Sequence, residues 1–279
     1  MGAAEITALE EGRAFVDLSS WRKIAVRGSD AVRWLNDLVS NRVDDTGPGD
    51  ARRTLLLDRT GRIRANVHAY RLGDGLLLAQ DPVQPRSIAE LLAPYQLSSD
   101  VELTDRTEDV ALLAHPGQGT QVEAWAPSIL GTGFDRLLTP AERDEARAGH
   151  SGLVEATEAD IELWRIRRGV ARFGVDFGED ALPAEAGWER LVDTSKGCFL
   201  GQEAVAKVRN LGHPPRVMVS LHTDGHPRAG EAVLAGGEEV GRITGVAPDT
   251  DGTAALARIR WEARELALTT SSGHSLQRR

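Results

Sequence analysis

Lys196-Gly197-Cys198-Phe199-Leu200-Gly201-Gln202-Glu203 gathers the most specific chemistry of a 279-residue chain into eight positions. Cys198 is the only cysteine, and Lys196 is one of three lysines, with Lys23 and Lys207. The residues from Gly201 to Asn210 predict a short helix stopping at Gly212, so the thiol sits just ahead of a helix N-terminus. There the helix dipole and a neighbouring ammonium both favour a thiolate. Gly197 and Gly201 let the backbone turn tightly on either side. The alternative reading of a lone cysteine is a small buried hydrophobe. A single thiol excludes an intrachain disulfide and a cysteine-rich zinc site.

Upstream, short strands alternate with short helices. Arg22 to Arg27 reads as a strand ending at Gly28, and Ser29 as the cap of a helix with Val32, Leu35, Leu38 and Val39 on one face. Thr54–Leu57, Ile63–Leu72 and Leu76–Ala79, separated by glycine turns, predict an antiparallel meander. In its middle strand Asn66, His68 and Tyr70 share one face, and Ala65, Val67 and Ala69 share the other. A second helix carries Ile88, Leu91, Leu92 and Tyr95, and strands are expected around 101–103, 110–114, 122–125 and 134–138. Thr139-Pro140-Ala141-Glu142 has the cap, proline and glutamate of a helix start. Another helix is expected from about Glu158 to Arg168, followed by an irregular stretch from 172 to 195.

After His213-Pro214-Pro215 alternation dominates, as in Val217, Val219 and Leu221, with glycine turns at Gly225, Gly236-Gly237 and Gly252. That pattern predicts a small β-barrel or sandwich. The expected division is 1–213 as an α+β region, 214–270 as a β-barrel and 271–279 as a flexible tail.

The 42 acidic and 33 basic residues give a net charge of −9, against general nucleic-acid binding, which needs clustered positive charge. Apolar residues at 41% and charged residues at 27% provide an ordinary globular mix with material for a sizeable core. No apolar run reaches the roughly 20 residues of a spanning helix. The opening Met1-Gly2-Ala3-Ala4-Glu5 lacks the features of a secretory signal, so a cytoplasmic location is expected. There is no nucleophile elbow, phosphate-cradling loop or complete dinucleotide fingerprint. His222 and His226 are separated by Asp224-Gly225, a hairpin signal, and no metal site is expected there.

The octapeptide resembles the K-G-C-[aromatic]-x-G-Q-E signature of the folate-binding YgfZ family, which is related to the T-protein, the aminomethyltransferase of the glycine cleavage system. Further matches follow in order: Leu55 to Ile63, Gly133-Phe134-Asp135, Trp164 to Gly169, Phe173-Gly174-Val175-Asp176, and Pro183 to Gly187. The resemblance covers roughly residues 20 to 265. It implies an α+β fold of α/β subdomains around a central folate cavity, with a C-terminal antiparallel β-barrel. The implied cofactor is tetrahydrofolate or a one-carbon derivative, and the implied partners are iron–sulfur client or assembly proteins.

A folate site needs an apolar slot, polar groups for the pterin edge and cations for the tail. Under the resemblance Phe134 or Phe173 supplies the slot, Asp135 an acceptor and Arg165 a cation, with Asp176 in the same segment. Cys198 is the reactive thiol with Lys196 beside it, inside a frame of Gly197, Phe199, Gly201, Gln202 and Glu203.

Two departures matter. Ala65 and Asn66 stand where the T-protein carries its acidic pair, and Arg167 replaces a glutamate. Asn66 can hydrogen-bond a pterin but has no ionisable acid. Classical aminomethyl transfer is therefore not expected; the resemblance implies instead a role in assembly, maintenance or repair of iron–sulfur enzymes. The alternatives are a folate-dependent one-carbon transferase or demethylase that borrows another carboxylate such as Asp135, and a non-enzymatic protein-binding module on the same fold.

Overall fold

In a computed structural model, the described residues are 3–117, 126–127, 130–131, 133–150 and 152–279. The strand expected at 122–125 lies outside them.

The predicted meander forms three consecutive strands, from one edge inward, of a five-stranded antiparallel sheet in the order Ala51–Leu57, Ile63–Leu72, Gly75–Gln80, Arg22–Arg27, Glu102–Asp105. Its period-2 pattern separates two faces. Ile24, Val26, Leu56, Ala65, Val67, Ala69, Leu76 and Leu78 meet Trp34 and Leu35 of the helix Ala31–Leu38 and Ile88 and Leu91 of the helix Ile88–Leu92. The alternate residues Ala25, Leu55, Leu57, Tyr70, Leu77 and Ala79 face the molecular interior. Ser29 does not cap the first of these helices. Its amide and hydroxyl both donate to Asp100 Oδ2, at 3.0 and 2.8 Å, so it ties two loops together and the helix begins at Ala31.

A second sheet, in the order Val154–Glu155, Ala14–Asp17, Ala111–Pro116, Gly133–Leu138, Ala126–Pro127, closes the other side of that interior. The helix Pro140–Gly149 begins with the expected capping box of Thr139 and Glu142. The helix Glu158–Arg167 begins with a second box, Thr157 and Asp160, and buries Leu163, Trp164 and Ile166 between the sheets and the C-terminal region.

The C-terminal region is a closed six-stranded barrel in the order Arg216–Thr223, Gly252–Arg260, Glu238–Asp249, Ala232–Ala235, Leu268–Thr270, Ser275–Arg278. Its inside is filled by Leu221, Val233, Ile243, Ala255, Ala257, Ile259 and Leu276. Ala247, Ala254 and Leu256 join the core shared with the Glu158–Arg167 helix, which seats the barrel on the α+β region.

The segment expected as a flexible tail is corrected here: Ser275–Arg278 pairs with both Leu268–Thr270 and Arg216–Thr223, and so closes the barrel. Without it the strand Arg216–Thr223 would present an unpaired edge. Among the described residues no helix is long and apolar enough to cross a membrane.

Candidate functional site

A cavity of about 330 Å³ opens between the two sheets and the start of the Glu158–Arg167 helix. Trp21, Trp164 and Phe173 give it aromatic surface; Asn66, Asp81 and Gln84 give it hydrogen-bonding groups. That volume and mixture suit a small organic ligand with a few polar positions.

The period-2 geometry of Ile63–Leu72 sends Ala65 and Asn66 to opposite faces of the sheet. Ala65 is buried on the helix-covered face, whereas Asn66 lines the cavity. Gln84 fixes this stretch as an added strand would: its Oε1 accepts from Asn66 N at 3.0 Å, and its Nε2 donates to Asn66 O at 2.7 Å. The Asn66 side chain is left to the cavity, where Oδ1 accepts from Arg53 Nε at 3.0 Å.

Arg165 and Phe173, two of the expected site residues, also lie on the wall. Arg165 is 5% exposed and already neutralised: Nη1 is 2.6 Å from Asp176 Oδ2 and Nε is 2.6 Å from Glu162 Oε2. Asp176 is not on the wall. Its carboxylate holds Arg165, accepts from Arg172 N at 2.7 Å and accepts from Thr244 Oγ1 of the barrel at 2.7 Å. It is a tie between the helix, the irregular stretch and the barrel.

Phe134 and Asp135 fall outside the wall as well, and as consecutive strand residues they face opposite ways. Phe134 stacks on His115, centroids 4.6 Å apart, on the sheet face that also carries Phe15 and meets His150 at the end of the helix Pro140–Gly149. Asp135 points inward and accepts from Tyr70 Oη at 2.5 Å, linking the two sheets. Burial, reinforced by the adjacent carboxylate, pushes the Tyr70 hydroxyl pKa well above its ordinary value, so Tyr70 stays the donor.

Sequence reading missed Arg53 as well as Trp21, Asp81 and Gln84 on the wall. A signal was present for Arg53: in the strand Ala51–Leu57 it shares a face with Leu55 and Leu57, the interior face. An arginine in that register points where apolar residues belong.

The octapeptide lies apart from the cavity, with none of residues 196–203 on its wall. Asp193 shapes the approach, as Oδ1 accepts from Ser195 N at 2.8 Å and from Lys196 N at 3.2 Å. Lys196 is 5% exposed, and its Nζ donates to Val39 O at 2.7 Å, to Asn41 O at 3.2 Å and to Asn36 O. These acceptors occupy the ammonium's three N–H donors, so Lys196 pins the end of the Ala31–Leu38 helix instead of serving the thiol. Burial lowers its pKa to about 8.

Phe199 is buried in the main core, which contributes about 1.5–3 kcal/mol. Gly201 has φ +84°, and a Cβ there would lie 2.3 Å from Asp58 O; on the facing hairpin, a Cβ on Gly61 would lie 3.0 Å from Ala204 Cβ. The loop and the hairpin thus approach closely through two glycines. Gln202 and Glu203 begin the helix Gln202–Leu211. Cys198 is exposed, which settles against the buried-hydrophobe reading.

Comparison with known proteins follows this architecture. The family model described as GCVT N-terminal domain matches residues 1–121. The aminomethyltransferase of Streptomyces avermitilis is 26% identical over 88% of this chain and 77% of its own. An iron-sulfur cluster assembly factor IBA57 homolog, mitochondrial, of Pyricularia oryzae is 27% identical over 85% of this chain and 64% of its own. Among solved structures, the glycine cleavage system aminomethyltransferase T of Bartonella henselae superposes with a TM-score of 0.81 at 18% identity, covering 98% of this chain and 86% of that one. The chain has the aminomethyltransferase fold: mixed α and β elements followed by a closed six-stranded antiparallel barrel.

Proposed function

We propose that this protein binds tetrahydrofolate or a one-carbon derivative in the central cavity and supports assembly, maintenance or repair of iron–sulfur enzymes, with Cys198 as its reactive thiol. One observation carries the reading: the cavity presents Asn66 where an ionisable acid is expected, while the single thiol stands exposed outside the cavity. Proton transfer to or from a folate nitrogen needs an ionisable side chain, which Asn66 lacks.

The wall residues fit the cofactor. Phe173 and Trp164 offer flat surface and Asn66 and Gln84 polar edges for a pterin-like ring, and folate would supply a one-carbon carrier. Outside the cavity, Cys198 offers a thiolate to a metal centre once its proton is lost. Clusters are ordinarily held by four thiolates, so one cysteine would share the cluster with ligands from a partner. The relative named as an IBA57-type assembly factor supports that context.

The relatives named as aminomethyltransferases favour one-carbon transfer as the second reading. The cavity wall does hold other carboxylates, Asp17, Asp81 and Glu158; Arg172 grips Asp81 in a two-pronged pair at 2.5 and 3.1 Å, and Arg147 lies 3.4 Å from Asp17.

The test is anaerobic calorimetry with tetrahydrofolate on wild type and Cys198→Ser, followed by iron–sulfur enzyme activities in deleted cells complemented with each. Equal micromolar binding, with complementation by wild type only, is the expected result. Absence of binding in both would refute the folate reading, and methylene transfer by purified protein would move the assignment to the second.

A further inference from the structure

Three arginines line the cavity, and two of them have counter-ions. Arg165 pairs with Glu162 and Asp176, and Arg172 with Asp81. Arg53 has none among the described residues. Its Nε donates to the neutral Asn66, and its guanidinium lies over the Trp188 ring at 4.6 Å. Burial alone lowers its pKa, to about 10.

A cation in a low-dielectric cavity is costly unless an opposite charge is supplied. The two Nη groups make no bond to the described protein, and a guanidinium fork matches a carboxylate in geometry and charge. Stacking on Trp188 and the bond to Asn66 hold that fork against the wall in advance, which reduces the cost of ordering it on binding.

We propose that Arg53 is the anion receptor of the cavity and selects ligands that carry a carboxylate. This deepens the folate reading of the same site but rests on it only for what bears the carboxylate. The bearer is either the glutamate tail of a folate or a small free carboxylic acid held beside the pterin.

The experiment titrates the full chain anaerobically with three probes: tetrahydrofolate, tetrahydrobiopterin, which has the reduced pterin but no carboxylate, and glycine. Wild type is compared with Arg53→Met and Arg53→Lys, and with Asn66→Asp, which sets an internal carboxylate against Arg53. The expected result is at least a tenfold loss of tetrahydrofolate affinity in Arg53→Met, partial recovery in Arg53→Lys, and unchanged tetrahydrobiopterin affinity in both. That pattern assigns the carboxylate to the folate tail. Loss confined to glycine assigns it to a small acid.

Should neither pterin bind wild type while glycine binds and is lost in Arg53→Met, the anion receptor stands and the folate reading falls. If Arg53→Met does not fold, Asn66→Asp carries the test through the same tenfold loss. Equal weakening of all probes would reduce Arg53 to a prop for Trp188. That result, unchanged affinity in every variant, or no carboxylate probe bound by wild type would each overturn the proposal.

Discussion

The cavity takes its wall from segments spread between Val16 and Phe173, whereas the Lys196–Glu203 loop is eight consecutive residues, with Gly201 against the Asp58–Gly61 turn and Lys196 on the end of the Ala31–Leu38 helix. The cavity's side chains carry charge, amide and aromatic groups in no recognisable run of sequence. The loop's residues form the most recognisable run in the chain, yet most of them do structural work: Lys196 holds carbonyls, Phe199 fills core and Gly201 permits a close approach. A conspicuous local pattern is thus largely the imprint of a demanding backbone, with Cys198 the exposed exception. The cavity-facing groups leave almost no linear trace, because they need only the right strand face.

The strongest challenge to this contrast is Gly201→Val. The left-handed backbone at φ +84° costs a branched residue roughly 1–2 kcal/mol, and overlap with Asp58 O adds roughly 1–3. A loss of about 3 kcal/mol in urea unfolding is expected; a loss under 1 kcal/mol would mean that the loop can detach from its hairpin at little cost.

The cavity half has its own sensitivity, to acid. His115, 2% exposed on the outer face of the second sheet, has its pKa lowered to about 4 by burial, with His150 and Arg136 reinforcing the shift. The unfolded chain therefore takes up this proton first, and stability falls as the pH drops from about 6.5 towards about 4. The contribution is about 3 kcal/mol, and His115→Phe should remove it while keeping an aromatic ring against Phe134. Equal slopes of stability against pH in the two proteins would refute this.

Lys196→Met separates the structural lysine from a catalytic one. Leaving the carbonyls of Asn36, Val39 and Asn41 without their donor should cost about 2 kcal/mol, read by thermal or urea unfolding. The alkylation rate of Cys198 at pH 7 should not change. A slower alkylation with intact stability would restore the lysine to the thiol's chemistry. The smallest effect belongs to Cys198→Ser: an exposed side chain without packing should change stability by less than about 0.5 kcal/mol.

Much of the fold was legible because strand and turn signals are local. Ile63–Leu72 lies where its alternation placed it, and the Thr139–Glu142 cap starts its helix. The face of Asn66, which lines the cavity, was legible because its register on that strand sets it. Phe134 and Asp135 were harder: the sequence marked them as a pair, but strand geometry turns one outward to His115 and the other inward to Tyr70. Ser275–Arg278 buries only Leu276, too weak a pattern to announce a strand, and it becomes one because Arg216–Thr223 offers it an edge.

By itself, then, the sequence determined the α+β order, the barrel's alternating strands, the tight glycine-framed thiol loop and the absence of an acid at position 66. These follow from backbone period, turn chemistry and side-chain type, which act over a few residues. Only the tertiary structure decided which arginines are neutralised, where Lys196 points and how the barrel closes. The Arg172–Asp81 pair joins residues 91 positions apart and the Lys196–Asn36 bond residues 160 apart. An ion pair is a matter of distance in space, and distance in space is set by which sheets and helices pack together.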